Sequence, residues 1–172
     1  MMKKLTTLVF AMLLTTAFST TAVAQISIGG GLAYGTDIEE IGIQVGGTYV
    51  LNENMRLGAD IIYWLIGSES FFGESISYTF LEINANFNYI FYNENDLMLY
   101  GLGTLGIHYA KVSFDFDDDF FAGSGSDTEL GLGIGAGLEY NLGGVKLYVE
   151  PRFFLSGFDQ LSLAAGVRVP IN

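Results

Sequence analysis

Cysteine does not occur in this chain, so an exported fold of this size has to hold without disulfide staples. A closed ladder of backbone hydrogen bonds would meet that need. Basic residues are scarce: 7 Lys and Arg stand against 19 Asp and Glu. Two of the seven, Lys3 and Lys4, fall in an amino-terminal leader, so the remainder is strongly acidic. It lacks the clustered cations that phosphate backbones require, and no nucleic-acid partner is expected. Beyond the leader, no apolar run reaches the roughly 20 residues of a spanning helix. Histidine occurs once, at His108.

The leader itself is plain. Met1 to Lys4 is a short basic start, residues 5–18 are mainly apolar, and Ala22-Val23-Ala24 forms a small-x-small cleavage site before Gln25. This predicts a secretory signal peptide over 1–24, too short in its apolar part to be a membrane anchor. Residues 25–172 then suit one domain.

What the chain does have is alternation. Between 129 and 140, Leu130, Leu132, Ile134, Ala136, Leu138 and Tyr140 alternate with Glu129, Gly131, Gly133, Gly135, Gly137 and Glu139. After a turn at 143–144, Val145, Leu147, Val149, Pro151, Phe153 and Leu155 alternate with Lys146, Tyr148, Glu150, Arg152, Phe154 and Ser156. A period of two puts each set on one face of a strand. One face is apolar, and the other carries glycine and charge. Glycine weakens a strand and gains nothing by facing water, but it suits a crowded concave interior. The faces are therefore read inside-out, with apolar residues toward lipid and polar residues toward the lumen of a small barrel.

Six further segments repeat this pattern, over 25–35, 41–51, 55–66, 76–92, 97–112 and 160–171, giving eight in all. Segments of about ten residues match a tilted strand crossing a bilayer. The fold class expected is all-β, a closed eight-stranded antiparallel up-and-down transmembrane barrel. Turns at 52–54, 93–96 and 143–144 are short and belong to the periplasmic end. Outward aromatics sort into belts, with Tyr34, Tyr63 and Tyr109 near the outer rim. Tyr49, Tyr89, Phe91 and Tyr140 fall near the inner rim. The inward set holds Arg56, Asp60, Glu82, Asn84, Asn86, Asn88, His108, Glu139, Lys146, Glu150, Arg152 and Arg168. Eight strands leave an interior just filled by side chains, so these charges must pair.

With its signal peptide, eight strands, short turns and inward charges, the chain resembles the small outer-membrane β-barrels of the OmpA/OmpX-like class. Gly166, Val169 and Ile171 resemble the terminal barrel-assembly signal of that class, although the last residue is Asn172 and not an aromatic. The resemblance implies location in the cell outer membrane, and insertion by periplasmic chaperones and the barrel-assembly machinery. The surroundings it implies are outer-membrane lipid and lipopolysaccharide.

Counting back from the turns sets Glu139 opposite Tyr148, Asn141 opposite Lys146 and Glu82 opposite His108. If Ser156 faces Ser162, Glu150 lies opposite Arg168. His108 has Gly106 and Ala110 on its own face and no serine two residues away, so the histidine–serine pairing of lipid-A-modifying barrels is missing. No catalytic residue, metal or cofactor is expected, and His108 is read as a lumen histidine bonded to Glu82. Asp115, Asp117, Asp118 and Asp119, with Phe116, Phe120 and Phe121, form an acidic, aromatic loop spanning 114–127. It is not an EF-hand, because Phe120 and Ser126 stand where glycine and a bidentate acid are needed. Such a loop is solvated by default and could bridge ions to lipopolysaccharide or meet an extracellular partner. The G-x-G spacings precede no helix, which excludes a dinucleotide fingerprint. Pro151, in mid-strand, predicts a bulge or a local break in pairing. The expected role is structural or surface-interacting. The alternatives are a narrow channel gated by lumen salt bridges and, below it, a lipid-modifying enzyme.

Overall fold

In a computed structural model, residues 26–67, 69–71, 74–115, 123–157 and 160–171 are described. The signal-peptide assignment, and the loop residues Phe116, Asp117, Asp118, Asp119, Phe120 and Phe121, lie outside them. Among the described residues nine strands follow in order: β1 (Ile26–Gly35), β2 (Glu40–Asn52), β3 (Met55–Trp64), β4 (Glu69–Phe71), β5 (Glu74–Glu94), β6 (Leu97–Asp115), β7 (Gly123–Asn141), β8 (Lys146–Ser156) and β9 (Leu161–Ile171). Eight of them form the barrel. Every pairing is antiparallel, and closure is made where β1 meets β9 and β3 meets β5. The three-residue β4 pairs only with β5.

The faces divide as alternation requires. Leu132 is 57% exposed on the outer wall, whereas Glu82 is 0% exposed inside. Ile83 and Leu147 also face outward, and Arg56, Asp60, Glu139, Glu150 and Arg152 are buried. A water-soluble barrel would show the reverse, so the exterior is a lipid-facing surface. Short turns join β2–β3, β5–β6 and β7–β8 at one end. Asn95 and Asp96 take positive φ in one of these turns, and Gly143 and Gly144 in another, at +82° and +127°. Asn, Asp and Gly tolerate that region where other residues are strained.

Three strands run past the barrel at the opposite end. β3 accompanies β5 only as far as Phe80, and β8 accompanies β7 only as far as Leu132. Beyond those points β5, β6 and β7 continue as a separate sheet, with Ser75 paired to Asp115 and Gly123 to Phe114. The sequence assigned 114–127 to a loop. Much of it is strand instead, because the small residues Ser124, Gly125 and Ser126 extend β7 against Ser113, Val112 and Lys111.

One register differs from expectation, and one predicted break in pairing is present. Glu139–Tyr148, Asn141–Lys146 and Glu82–His108 are paired as counted. Between β8 and β9, however, Arg168 lies opposite Lys146, and Glu150 lies opposite Ala164. The β8–β9 connection is wider than a tight turn: Phe154 N–H donates to the Gln160 carbonyl at 3.0 Å, and Gly157 takes φ +83°. At Pro151 the β7–β8 ladder is interrupted. Gly135–Arg152 and Leu138–Val149 are paired in one register, and nothing between them is. Proline has no N–H to donate there.

Candidate functional site: a charge-paired lumen

The interior is built from inward positions of all eight barrel strands, and it is layered along the barrel axis. In its middle, Asp60 of β3 accepts from both Nη atoms of Arg152 of β8, at 3.1 and 2.9 Å. Gln44 and Asn84 amides donate to the same carboxylate at 3.1 Å each, and Asn86 donates to its second oxygen. Thr104 in turn donates to Asn86 at 2.8 Å, and the Tyr148 hydroxyl to Gln44 at 2.7 Å. Arg152 also donates to Glu150 at 2.8 Å. A bidentate guanidinium with amide support is the arrangement in which a buried carboxylate is best offset.

The next layer lies toward the short-turn end. Arg56 Nη1 donates to Glu139 at 2.6 Å, and the Asn88 amide oxygen accepts from Arg56 Nε and Nη2. Arg168 donates to Glu139, to the Tyr100 hydroxyl at 3.0 Å and to Glu150 at 2.7 Å. Tyr100 itself donates to Glu150 at 2.6 Å. Arg56 lies 4.5 Å from the Tyr100 ring centroid, and Arg168 lies 4.0 Å from that of Tyr148. That stacking explains how Arg168 reaches Glu150 although the register sets them apart. Its guanidinium packs on the Tyr148 ring, and that ring lies over Gly166, where a Cβ would stand 2.8 Å from the Tyr148 oxygen. Gly137 performs the same service for Tyr100, since a Cβ there would stand 2.1 Å from the ring. Close packing of this kind accounts for Gly166 and Gly137.

Toward the long-strand end the lumen becomes aromatic. Glu82 accepts from Trp64 Nε1 at 2.9 Å and from Gln160 at 3.1 Å. His108 lies opposite it in register, with its ring edge-on to Phe154 at 4.5 Å and to Phe80 at 6.2 Å. The hydrogen bonds described for Glu82 thus come from Trp64 and Gln160, and the imidazole is packed among rings. Trp64, Phe80, Ile62, Ala33, Ala164 and Tyr148 form one buried apolar cluster here. Together these layers leave a central cavity of about 20 Å³, room for about one water molecule.

Lys146 sits apart from this network. It lines a vestibule of about 390 Å³ at the short-turn mouth, with Glu53, Glu94, Asp96, Asn141 and the inner pair Arg56 and Glu139. Among the described residues it makes no ion pair. Arg56, Arg152 and Arg168 are therefore matched by Asp60, Glu139 and Glu150, three against three. Sequence reasoning listed these charges and set Tyr148 on their face, but it did not single out Trp64 and Gln160, which alternation from Tyr63 and Leu161 would have placed inside. The belt residues Tyr34, Tyr63, Tyr89, Phe91 and Tyr140 are exposed on the outer wall, and Tyr49 and Tyr109 are half-buried there.

An antiparallel barrel with its apolar face outward and its ions inside can be compared directly with solved structures. Ail, the attachment invasion locus protein of Yersinia pestis, solved with the heparin analogue sucrose octasulfate, superposes with a TM-score of 0.60 at 20% identity. That match covers 86% of this chain and 97% of Ail. The fold is that of the small outer-membrane barrels. Neisserial surface protein A shares it, with a TM-score of 0.56 at 20% identity over 85% of this chain and 94% of its own. So does a major outer membrane protein of Thermus thermophilus, at 0.60 and 12% identity over 87% and 100%. No family model matches the chain, and no curated protein matches it. Among small outer-membrane barrels the likeness is thus one of architecture, carried by strand number, alternation and closure.

Proposed function

We propose that this protein is an integral outer-membrane barrel with a structural and surface-interacting role, its lumen a polar plug and not a path. The observation that carries this is the filled interior. Three arginines and three carboxylates neutralise one another inside the wall, and an aromatic layer caps them at the long-strand end. An ion would have to displace buried, multiply bonded pairs, each costly to break.

With the lumen closed, the surfaces left for interaction are the outer wall and the sheet that stands beyond it. The free edge of β7 from Ser124 to Leu130 has no partner strand among the described residues, and unpaired edges accept extended segments of other chains. The acidic, aromatic stretch that links β6 to β7 in the sequence supports contact with lipopolysaccharide or an extracellular partner.

The test is planar-bilayer recording of the purified full chain. No resolved unitary conductance is expected. Discrete open levels from the native protein would overturn the plug reading in favour of the narrow channel. Heat-modifiable migration and retention in carbonate-washed membranes check insertion separately.

A further inference from the structure

We propose that the outer face of the protruding sheet, around Lys111, holds a phosphate of an outer-leaflet lipid headgroup. This site rests on the outer-membrane reading above and follows from where the cations lie. Arg56, Arg152 and Arg168 are committed to the lumen, and Lys146 stands at the opposite mouth. Lys111 is then the one cation on the outward face among the described residues. It has no ion pair there, although the chain as a whole is strongly acidic.

Register supplies its neighbours. Lys111 of β6 lies between Thr79 of β5 and Ser126 of β7. The row beyond is Ser77, Ser113 and Ser124, and the row before is Leu81, Tyr109 and Thr128. Ile107 faces lipid and His108 faces the lumen, so alternation sends Tyr109, Lys111 and Ser113 outward together. Asp127 and Glu129 fall on the opposite face by the same count. The ammonium is thus ringed by hydroxyls, with no acid among its in-register or diagonal neighbours. Directly opposed Cβ atoms are about 5 Å apart, so one phosphate can receive the ammonium together with the hydroxyl of one flanking residue, Thr79 or Ser126.

Height fits as well. Ile107 and Leu130 end the lipid-facing apolar rows, and Tyr109 follows as the interfacial ring. Lys111 stands two residues further, roughly 6–7 Å along the strand. The headgroup layer extends roughly 5–8 Å beyond the hydrocarbon on each side. A side chain there meets lipid phosphate before it meets bulk water.

The experiment titrates the full chain, refolded in detergent, with bisphosphorylated lipid A and counts bound lipid by native mass spectrometry. The variants are Lys111→Ala and Lys111→Arg. Dephosphorylated lipid A and inorganic phosphate serve as the other probes. Expected are binding weakened about tenfold by K111A, the scale of one charge-assisted hydrogen bond, retention by K111R, and indifference of dephosphorylated lipid A to either change. Equal binding of bisphosphorylated lipid A by K111A and wild type would overturn the site. Displacement by excess inorganic phosphate alone would overturn the lipid as its source. Heat-modifiable migration of each variant shows that it has folded. A protein retained in washed membranes whose K111A variant binds normally sinks this inference alone, whereas a protein washed out of membranes sinks the outer-membrane reading with it.

Discussion

Asp60 is held by four residues from three strands: Gln44, Asn84, Asn86 and Arg152. Removing the guanidinium with Arg152→Ala leaves Asp60 and Glu150 buried without their shared cation. A loss of about 3–5 kcal/mol is expected, measured by urea unfolding in micelles with Trp64, the single tryptophan, as reporter. The pair Asp60→Asn with Arg152→Met should lose less than Arg152→Ala alone, because no uncompensated ion remains. Gly137→Leu should drive Tyr100 from its place over Glu150 and cost about 1–3 kcal/mol by overpacking, read in the same assay. At this scale the sequence told which face each residue occupies, since parity is counted directly from Glu82 to Asn88 or Glu139 to Gly131. It could not tell that Arg56 meets Glu139, because those two positions are not neighbours in any ladder, and only the width of the lumen brings them together.

At the scale of the strand, the outer wall sets its own energetics. Leu105 stands between Ala85 and Leu132 on that wall, and a charge placed there must be desolvated by lipid. Leu105→Arg is expected to cost about 2–4 kcal/mol if the site lies near the bilayer midplane, measured by refolding into liposomes. The same change on a soluble barrel's exterior would be almost neutral, so the assay discriminates between the two kinds of barrel. Strand registers were legible where a tight turn fixes them, as at Gly143 and Gly144. They were not legible at β8–β9, where the wider connection around Gly157 moves Arg168 from Glu150 to Lys146. The interruption at Pro151 was legible because a missing donor is a property of the residue itself. The length of β5, β6 and β7 was not, since Ser124-Gly125-Ser126 reads as loop chemistry and becomes strand only by pairing with β6.

For the molecule as a whole, closure and content are the same event. Arg168 enters on β9, the last strand, and supplies contacts to Glu139, Tyr100 and Glu150 on β7, β6 and β8. A chain truncated after Gly157 would leave Glu139 and Glu150 facing a lumen one guanidinium short, as well as an open seam at β1. Such a chain should give no heat-resistant compact band on gels run without boiling, while the full chain does. The final strand therefore acts as a completeness check. Partial products cannot settle into a stable cylinder, because the ion that quiets the centre arrives with the piece that shuts the wall.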